Sequence, residues 1–510
     1  MFVVMALVTT VATTPLTKAL YPPWYQKKVE KWRRGEIDWD GNPTNPSEAD
    51  QPQQKSADSQ VRRLMVHLRL DSLPSLFTFI TLLSPESVPT SAHPDSSEDS
   101  SQSKEVQIKK RPLEVHGLRV IELTDRTSSV MHLTEGDDSY SLRDPVVNAF
   151  RTFSQLHDVA VSGRVAVVPA DSYAETLMTQ ASEVSSDFAL IPWGEYGSTS
   201  EDMSLPVAMS GSERFRSTSH FEFISQTLQQ AAHTCNTGIF IDNGFGGITK
   251  PVDRPDLART KSAMSIRSYR PEFATFPVAN KSHHIFLPFF GGPDDHVALR
   301  IVLQLAKNQH VTASIVRITW PAANTKAEPT TSNDTSTTTT TTSTPPHKSS
   351  AVALQDAAAR QTQQDAVFFA TMQASLPSDL SARVVFSEVE LSAAVPASSL
   401  PEIVVLAQKT VGQRPKNAGD VVVVGRRNAR FGDALAAAVA GASSSAADGQ
   451  DVGTGAGAGA SGSVSASAGA GSADLRKTIG AVAEQLVTVG VKASILVVQA
   501  GGKGLEAVYA

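Results

Sequence analysis

The chain has 510 residues, a net charge of -6 and 41% hydrophobic residues, enough length for two domains and no general basic character to attract nucleic acid. Its single cysteine, Cys235, excludes a disulfide framework and reads as a buried thiol of a reducing compartment. The charged fraction is only 19%, because Ser, Thr, Ala and Gly fill long tracts.

Met1 to Ala12 is almost wholly apolar, and the greasy character fades towards Leu20, broken by Pro15 and Lys18. A spanning helix needs about 20 apolar residues, so the run is short for a full span. A secretory signal would place basic residues before the apolar run, and none is there. Behind it stand Tyr21, Trp24 and Tyr25, residues of the kind that sit at lipid headgroups, and then Lys27, Lys28, Lys31, Arg33 and Arg34. Aromatic residues followed by a basic cluster mark a membrane border whose basic side faces the cytosol. Taken alone, the cluster also suits an ordinary solvated helix face. The front end reads as the last part of a membrane helix, a partial transmembrane helix.

Residues 41 to 60 are polar and read as a linker. Short apolar, β-rich runs follow at Val61–Leu68, Leu118–Leu123, Val165–Val168, Phe188–Ile191 and Gly238–Ile241. A second series lies at His284–Phe290, Val311–Ile318, Arg383–Phe386, Val421–Val424 and Ala493–Val498. Stretches of helical spacing separate them: Ala298, Ile301, Val302 and Leu305 form one stripe, Val367, Phe368, Met372 and Leu376 another. Leu73–Leu83 is apolar but too short to span and reads as a core helix. Apolar strands alternating with amphipathic helices predict α/β architecture with parallel sheets covered on both faces. The order repeats: Ser186–Asp187 leads into Phe188–Trp193, and Gly419–Asp420 leads into Val421–Val424. The expectation is two doubly wound domains, residues 61–250 and 283–510, joined by a linker at 251–282. The Ser-rich tract at 84–105, the Thr/Ser/Pro tract within 323–352 and the Gly/Ala/Ser tract at 441–473 read as inserts that bury too little apolar surface to order.

Phe289-Phe-Gly-Gly-Pro-Asp-Asp-His296 is the most informative local feature: a strand ends at Gly291 and Gly292, and a helix begins with Asp294 and Asp295. Glycines at a strand-to-helix turn let backbone amides approach an anion, so Gly291 and Gly292 are candidate nucleotide-binding positions. The aspartates would repel a phosphate and are equally ordinary helix-capping residues. Gly425 and Arg426, at the end of a later strand, are the partner candidates, with a solvated strand end as the alternative. His283 and His284 are adjacent on a strand and point to opposite faces, so they cannot chelate together, and no metal site is expected. No cofactor and no catalytic set is expected either: no Ser/His/Asp arrangement has nucleophile-elbow spacing.

Several blocks resemble the end of the membrane domain and the cytosolic tail of fungal K+/H+ antiporters of the cation/H+ exchanger type. They are Met1–Asn42, Leu123–Met131, Asp144–Phe153, Ser172–Thr176, Leu190–Gly194, His283–Gly292 with Val297–Arg300, and Val423–Arg427. The resemblance implies two universal stress protein-like domains. It implies that residues 1–25 are a remnant of the last membrane helix and 26–60 a juxtamembrane segment and linker. It implies a regulatory role, no enzyme activity, and K+ and H+ as the ions of the full-length protein. The partners implied are a transmembrane antiporter domain absent from this chain, the membrane, and a second copy in a homodimer, with no nucleic acid. A stand-alone nucleotide-binding module of the universal stress type is the rival reading, and Asn428 stands where that module's glycine pattern wants another glycine. The ion site of such transporters lies on membrane helices, and no carboxylate occurs in Met1–Tyr25.

Overall fold

The computed structural model describes residues 60–84, 113–124, 141–157, 159–194, 213–215, 217–246, 280–320, 350–392, 396–414, 417–428 and 473–502. The membrane-border residues Tyr21 to Arg34, the inserts at 85–105, 323–349 and 441–472 and most of the 251–282 linker lie outside them. Among the described residues no helix is long and apolar enough to cross a membrane.

The first half runs β1 (Arg63–His67), α1 (Leu73–Leu83), β2 (Glu114–Glu122), α2 (Pro145–His157), β3 (Ala160–Val168), α3 (Tyr173–Glu183), β4 (Phe188–Pro192), α4 (Thr218–Ala231) and β5 (Asn236–Ile241). The second half runs β6 (His283–Phe289), α5 (Pro293–Leu305), β7 (Val311–Thr319), α6 (Ser350–Ala374), α7 (Ser378–Ser381), β8 (Val384–Glu390), α8 (Pro396–Thr410), β9 (Val421–Gly425), α9 (Ala481–Val489) and β10 (Ser494–Gln499). All ten expected strands are present. β1, β4, β6, β9 and β10 are apolar runs buried on both faces, as central strands of a covered parallel sheet must be.

Each half is doubly wound with the same strand order. The halves do not form separate sheets: they share one ten-stranded sheet, ordered β3-β2-β1-β4-β5-β10-β9-β6-β7-β8. Pairing is parallel throughout except at the central seam, where β5 runs antiparallel to β10, Ile241 opposite Ile495 and Thr237 opposite Gln499. The chain therefore carries a pseudo-twofold axis between β5 and β10, the last strand of each half. Gly238 sits on that seam. A Cβ there would stand 2.6 Å from Phe188 Cζ and 2.9 Å from Leu496 Cδ1, so only glycine lets the sheets close so tightly.

Two apolar layers cover the sheet. One unites α1, α2, α5 and Phe369 of α6; the other unites α3, α4, α8 and α9. Both layers cross the seam, and the Gln304 side chain of α5 exchanges hydrogen bonds with both the N–H and the C=O of Val61 (2.8 and 3.0 Å). Of the expected α6 stripe, Phe368, Met372 and Leu376 pack against the core, whereas Val367 is 61% exposed and Phe369 is buried in its stead. Leu73–Leu83 is a core helix, as expected, with Leu76, Phe79 and Ile80 buried.

Polar residues pin the ends. Asp144 caps α2 by accepting the Val146 and Val147 amides (2.9 Å each) and pairs with Arg119 (2.9 Å). The two halves anchor their first strands alike, Asp187 accepting from the Arg62 and Arg63 amides and Asp420 from that of His284.

Candidate functional site at the strand ends

In doubly wound sheets ligands sit beyond the carboxyl ends of the strands, where the order reverses. In the second half that place lies between β6 and β9, and the sequence candidates Gly291, Gly292 and Gly425 do meet there. The turn needs glycine: Gly291 and Gly292 have φ of 101° and 94°. Pro293 then opens α5, its missing N–H costing nothing at a helix start.

The next two residues fill the site. Asp294 and Asp295 are buried to 0% and 2% exposure. Asp295 Oδ2 accepts from the amides of Phe290 (2.7 Å) and Gly291 (3.0 Å), and its Oδ1 accepts from Gly425 N (3.1 Å). Asp294 Oδ2 accepts from Arg427 N (2.8 Å) and Oδ1 from Ala500 N (2.8 Å). The Arg427 guanidinium lies 3.4 Å from the same carboxylate. Two side chains thus tie together the ends of β6, β9 and β10. A third carboxylate, Asp365 of α6, accepts from Gly292 N (3.1 Å) and Gln361 Nε2 (3.1 Å) and lies 2.8 Å from His296 Nε2. His296 stacks on Phe368 at 3.9 Å.

Burial pushes the Asp295 carboxyl up to about 8, with Asp294 adding in the same direction, against the backbone N–H groups that favour its charged form. Gly425 cannot gain a side chain, because a Cβ would stand 2.2 Å from Asp295 Oδ1.

The amides that would cradle an anion are therefore engaged by the chain's own carboxylates. Those oxygens receive N–H donors, so they do not form an open cation site. Arg426 turns away from the turn: its guanidinium donates to Thr478 O (2.6 Å), Lys477 O (3.1 Å) and Gln499 Oε1 (2.7 Å), and Gln499 Nε2 crosses the seam to Leu228 O (2.7 Å). A cavity of about 140 Å³ lies beside the turn, lined among others by Phe290, Arg317, Trp320, Thr362 and Asp365. It is well below the roughly 300 Å³ of a small-molecule site, and far too small for a nucleotide. Sequence reasoning missed Asp365, 73 residues from Gly292. A lone aspartate on a helix gives no sign that it will fold back on a turn.

His283 and His284 divide between the faces as expected. His283 Nδ1 lies 2.7 Å from Gly419 O, whereas His284 meets Thr312 Oγ1 (2.8 Å) and Ser314 Oγ (3.1 Å).

Residues 115–245, the first half from β2 to just beyond β5, match the family described as the plant cation/H(+) antiporter domain. Curated relatives agree with that class. The chain is 22% identical over 324 residues to cation/H(+) antiporter 19 of Arabidopsis thaliana, covering 62% of this chain and 31% of that one. It is 24% identical over 324 residues to cation/H(+) antiporter 15 of the same plant, covering 62% and 30%. The chain thus spans about three tenths of the length of the curated relatives it matches. Among solved structures it is similar to a universal stress protein from Archaeoglobus fulgidus (TM-score 0.35, 9% identity, covering 87% of this chain and 98% of that one). A universal stress protein from Pseudomonas aeruginosa UCBPP-PA14, titled as putative, gives a TM-score of 0.30 at 12% identity, covering 86% and 93%. The doubly wound α/β class rests on the strand order itself.

Proposed function

We propose that this chain is the C-terminal regulatory part of a monovalent cation/H+ antiporter, that the ion exchanged for H+ is K+, and that its α/β body works on the cytosolic side of a membrane domain supplied by the full-length protein. The observation that carries this reading is the match of residues 115–245 to an antiporter domain. The resemblance of the β6–α5 turn and of the β9 end to fungal K+/H+ exchanger tails supports it. In this reading the α/β body senses and couples rather than catalyses. The engaged amides of Gly291 and Gly425 argue against the rival nucleotide-binding module. Among the described strands, only β3 and β8 have an edge left for a second copy, because β5 and β10 pair with each other.

The test is a transport assay. The chain is fused behind the membrane domain of a related antiporter and placed in vesicles, and K+/H+ and Na+/H+ exchange are followed with a pH-sensitive dye. The fusion is expected to change the rate or the pH dependence of K+/H+ exchange relative to the membrane domain alone. Unchanged exchange by a well-folded fusion would refute the regulatory role, and an effect confined to Na+ would refute the assignment of K+.

A further inference from the structure

The two halves treat their strand ends differently. Leu64 of β1 pairs with Phe188 of β4 as Ile285 of β6 pairs with Val421 of β9. Counting on from that register, Arg69 takes the place of Phe290, and Leu73 and Pro74 take the places of Asp294 and Asp295. The first half therefore has no carboxylate clamp where the second half has two.

What gathers there is cationic and imidazole-rich. Arg69, 3% exposed, donates through Nε and Nη2 to the two Asp71 oxygens (3.1 Å each). Arg214 donates to Gly194 O (3.1 Å), Asp242 O (2.7 Å) and Trp193 O (3.1 Å), bridging the ends of β4 and β5. His67 ends β1 and His220 lies in the first turn of α4, and they are 3% and 1% exposed. Their rings flank Phe223, at 5.8 and 6.1 Å, and His220 stands edge-on to Trp193 at 4.7 Å. His67 Nδ1 and both ring nitrogens of His220 are buried with no hydrogen-bond partner.

Buried polar atoms in native proteins are almost always paired, and each one left bare costs about 1–3 kcal/mol. Three bare atoms from two side chains, at the point where the strand order reverses between β1 and β4, mark a place built to receive something. The sign of that something follows from the charges acting on His220: Arg69 and Arg214 against the single carboxylate of Asp71.

We propose that the strand ends of the first half bind a small oxyanion, a phosphate or carboxylate group, held by ring N–H groups of His220 and His67 in the field of Arg69 and Arg214. Binding couples to proton uptake. Desolvation, with help from the two arginines, holds the His220 imidazole neutral, and an anion beside it favours the charged ring. Linkage then requires the anion to bind more tightly as the pH falls. The chemistry is independent of which membrane protein the α/β body serves, so the transport assay and the present test can fail separately.

The full chain is labelled at its histidine ring carbons. Orthophosphate and, in a separate arm, acetate are titrated in at constant ionic strength set with NaCl, with ring signals and thermal melting followed together. Saturable movement of the His67 and His220 signals and a rise in melting temperature beyond that of NaCl are the expected results, larger at pH 6 than at pH 8. The stronger arm tells phosphate from carboxylate recognition. His220→Phe, which keeps the ring's bulk, should weaken the half-effect concentration roughly tenfold, the factor of about one lost hydrogen bond. His67→Gln serves as the second variant should His220→Phe fail to fold. Ring signals unmoved by either anion, the behaviour of a site holding an internal water only, would overturn the proposal. So would an undiminished phosphate effect in a folded variant.

Discussion

Replacing His220 by Phe should make the fold less sensitive to acid, by an amount the structure sets. Burial, followed by the field of Arg69, lowers His220 from 6.5 to about 3. A group with a depressed folded pKa that is neutral when deprotonated stabilises the fold above its unfolded value and loses that contribution as the pH falls below 6.5. At pH 5 the unfolded imidazole is almost fully protonated and the folded one is not. The loss is then about 1.4 kcal/mol for each of 1.5 pH units, or about 2 kcal/mol, and it saturates below pH 3 at about 5 kcal/mol. Asp295 works in the opposite direction. Its folded value of about 8 lies above its unfolded 3.8, so its contribution is present in acid and lost as the pH rises from 3.8 to 8. The variant cancels that background, because Asp295 is common to both proteins. Urea unfolding in anion-poor buffer at pH 7 and pH 5 gives the comparison. The stability change between the two pH values should be about 2 kcal/mol smaller in His220→Phe than in the parent. Equal slopes would refute a neutral, desolvated His220 in the folded state.

Asp294→Ala should strand the buried amides of Arg427 and Ala500 and cost roughly 2–6 kcal/mol, read from the urea midpoint at unchanged slope. Gly238→Ala should drive a Cβ into Phe188 and Leu496 and cost about 1–3 kcal/mol, with the loss seen by probes in both halves because the seam is shared. ATP titrated calorimetrically into the chain should give no saturable heat at the β6–α5 turn, where Asp295 already holds the amides. A micromolar dissociation constant abolished by a Gly292 substitution would refute that.

Much of the architecture is legible in the sequence because its strands are short, apolar and separated by helical spacing. Val421–Val424 and Ile495–Val498 can hardly be anything but central strands. The antiparallel seam is not legible. Thr237–Ile241 and Ile495–Gln499 are apolar runs that would pair with any strand, and nothing local chooses between closing two sheets and fusing one. The edge of the α6 stripe is hard to read for a similar reason: Val367, Phe368 and Phe369 are consecutive, and packing turns Phe368 and Phe369 inward, Phe369 onto Phe289 at 5.3 Å, while Val367 stays out. At the candidate site the glycine turn is readable, and so is the tension between Asp294, Asp295 and an anion. That these aspartates would turn inward and take the strand-end amides depends on Gly425, Arg427 and Ala500, which only the finished sheet brings near. Nothing in the sequence around His220 hints that both its ring nitrogens end up bare.

The seam also sets a timetable. β5 is complete by Ile241, yet its partner β10 begins at Ser494, and the contact from Asn243 to Ala493 spans 250 residues. At about 5–20 residues per second, a ribosome needs on the order of 10–50 s to close that gap. During that interval β5 presents a row of unsatisfied backbone donors and acceptors along an apolar strand. Such an edge is a template for another chain. Newly made molecules on one polysome would each offer the same open strand, and the last strand to emerge would have to outcompete its neighbours for it. Chaperone dependence and sensitivity to translation speed should therefore concentrate in the final residues of β10, although these are among the most deeply buried of the folded protein.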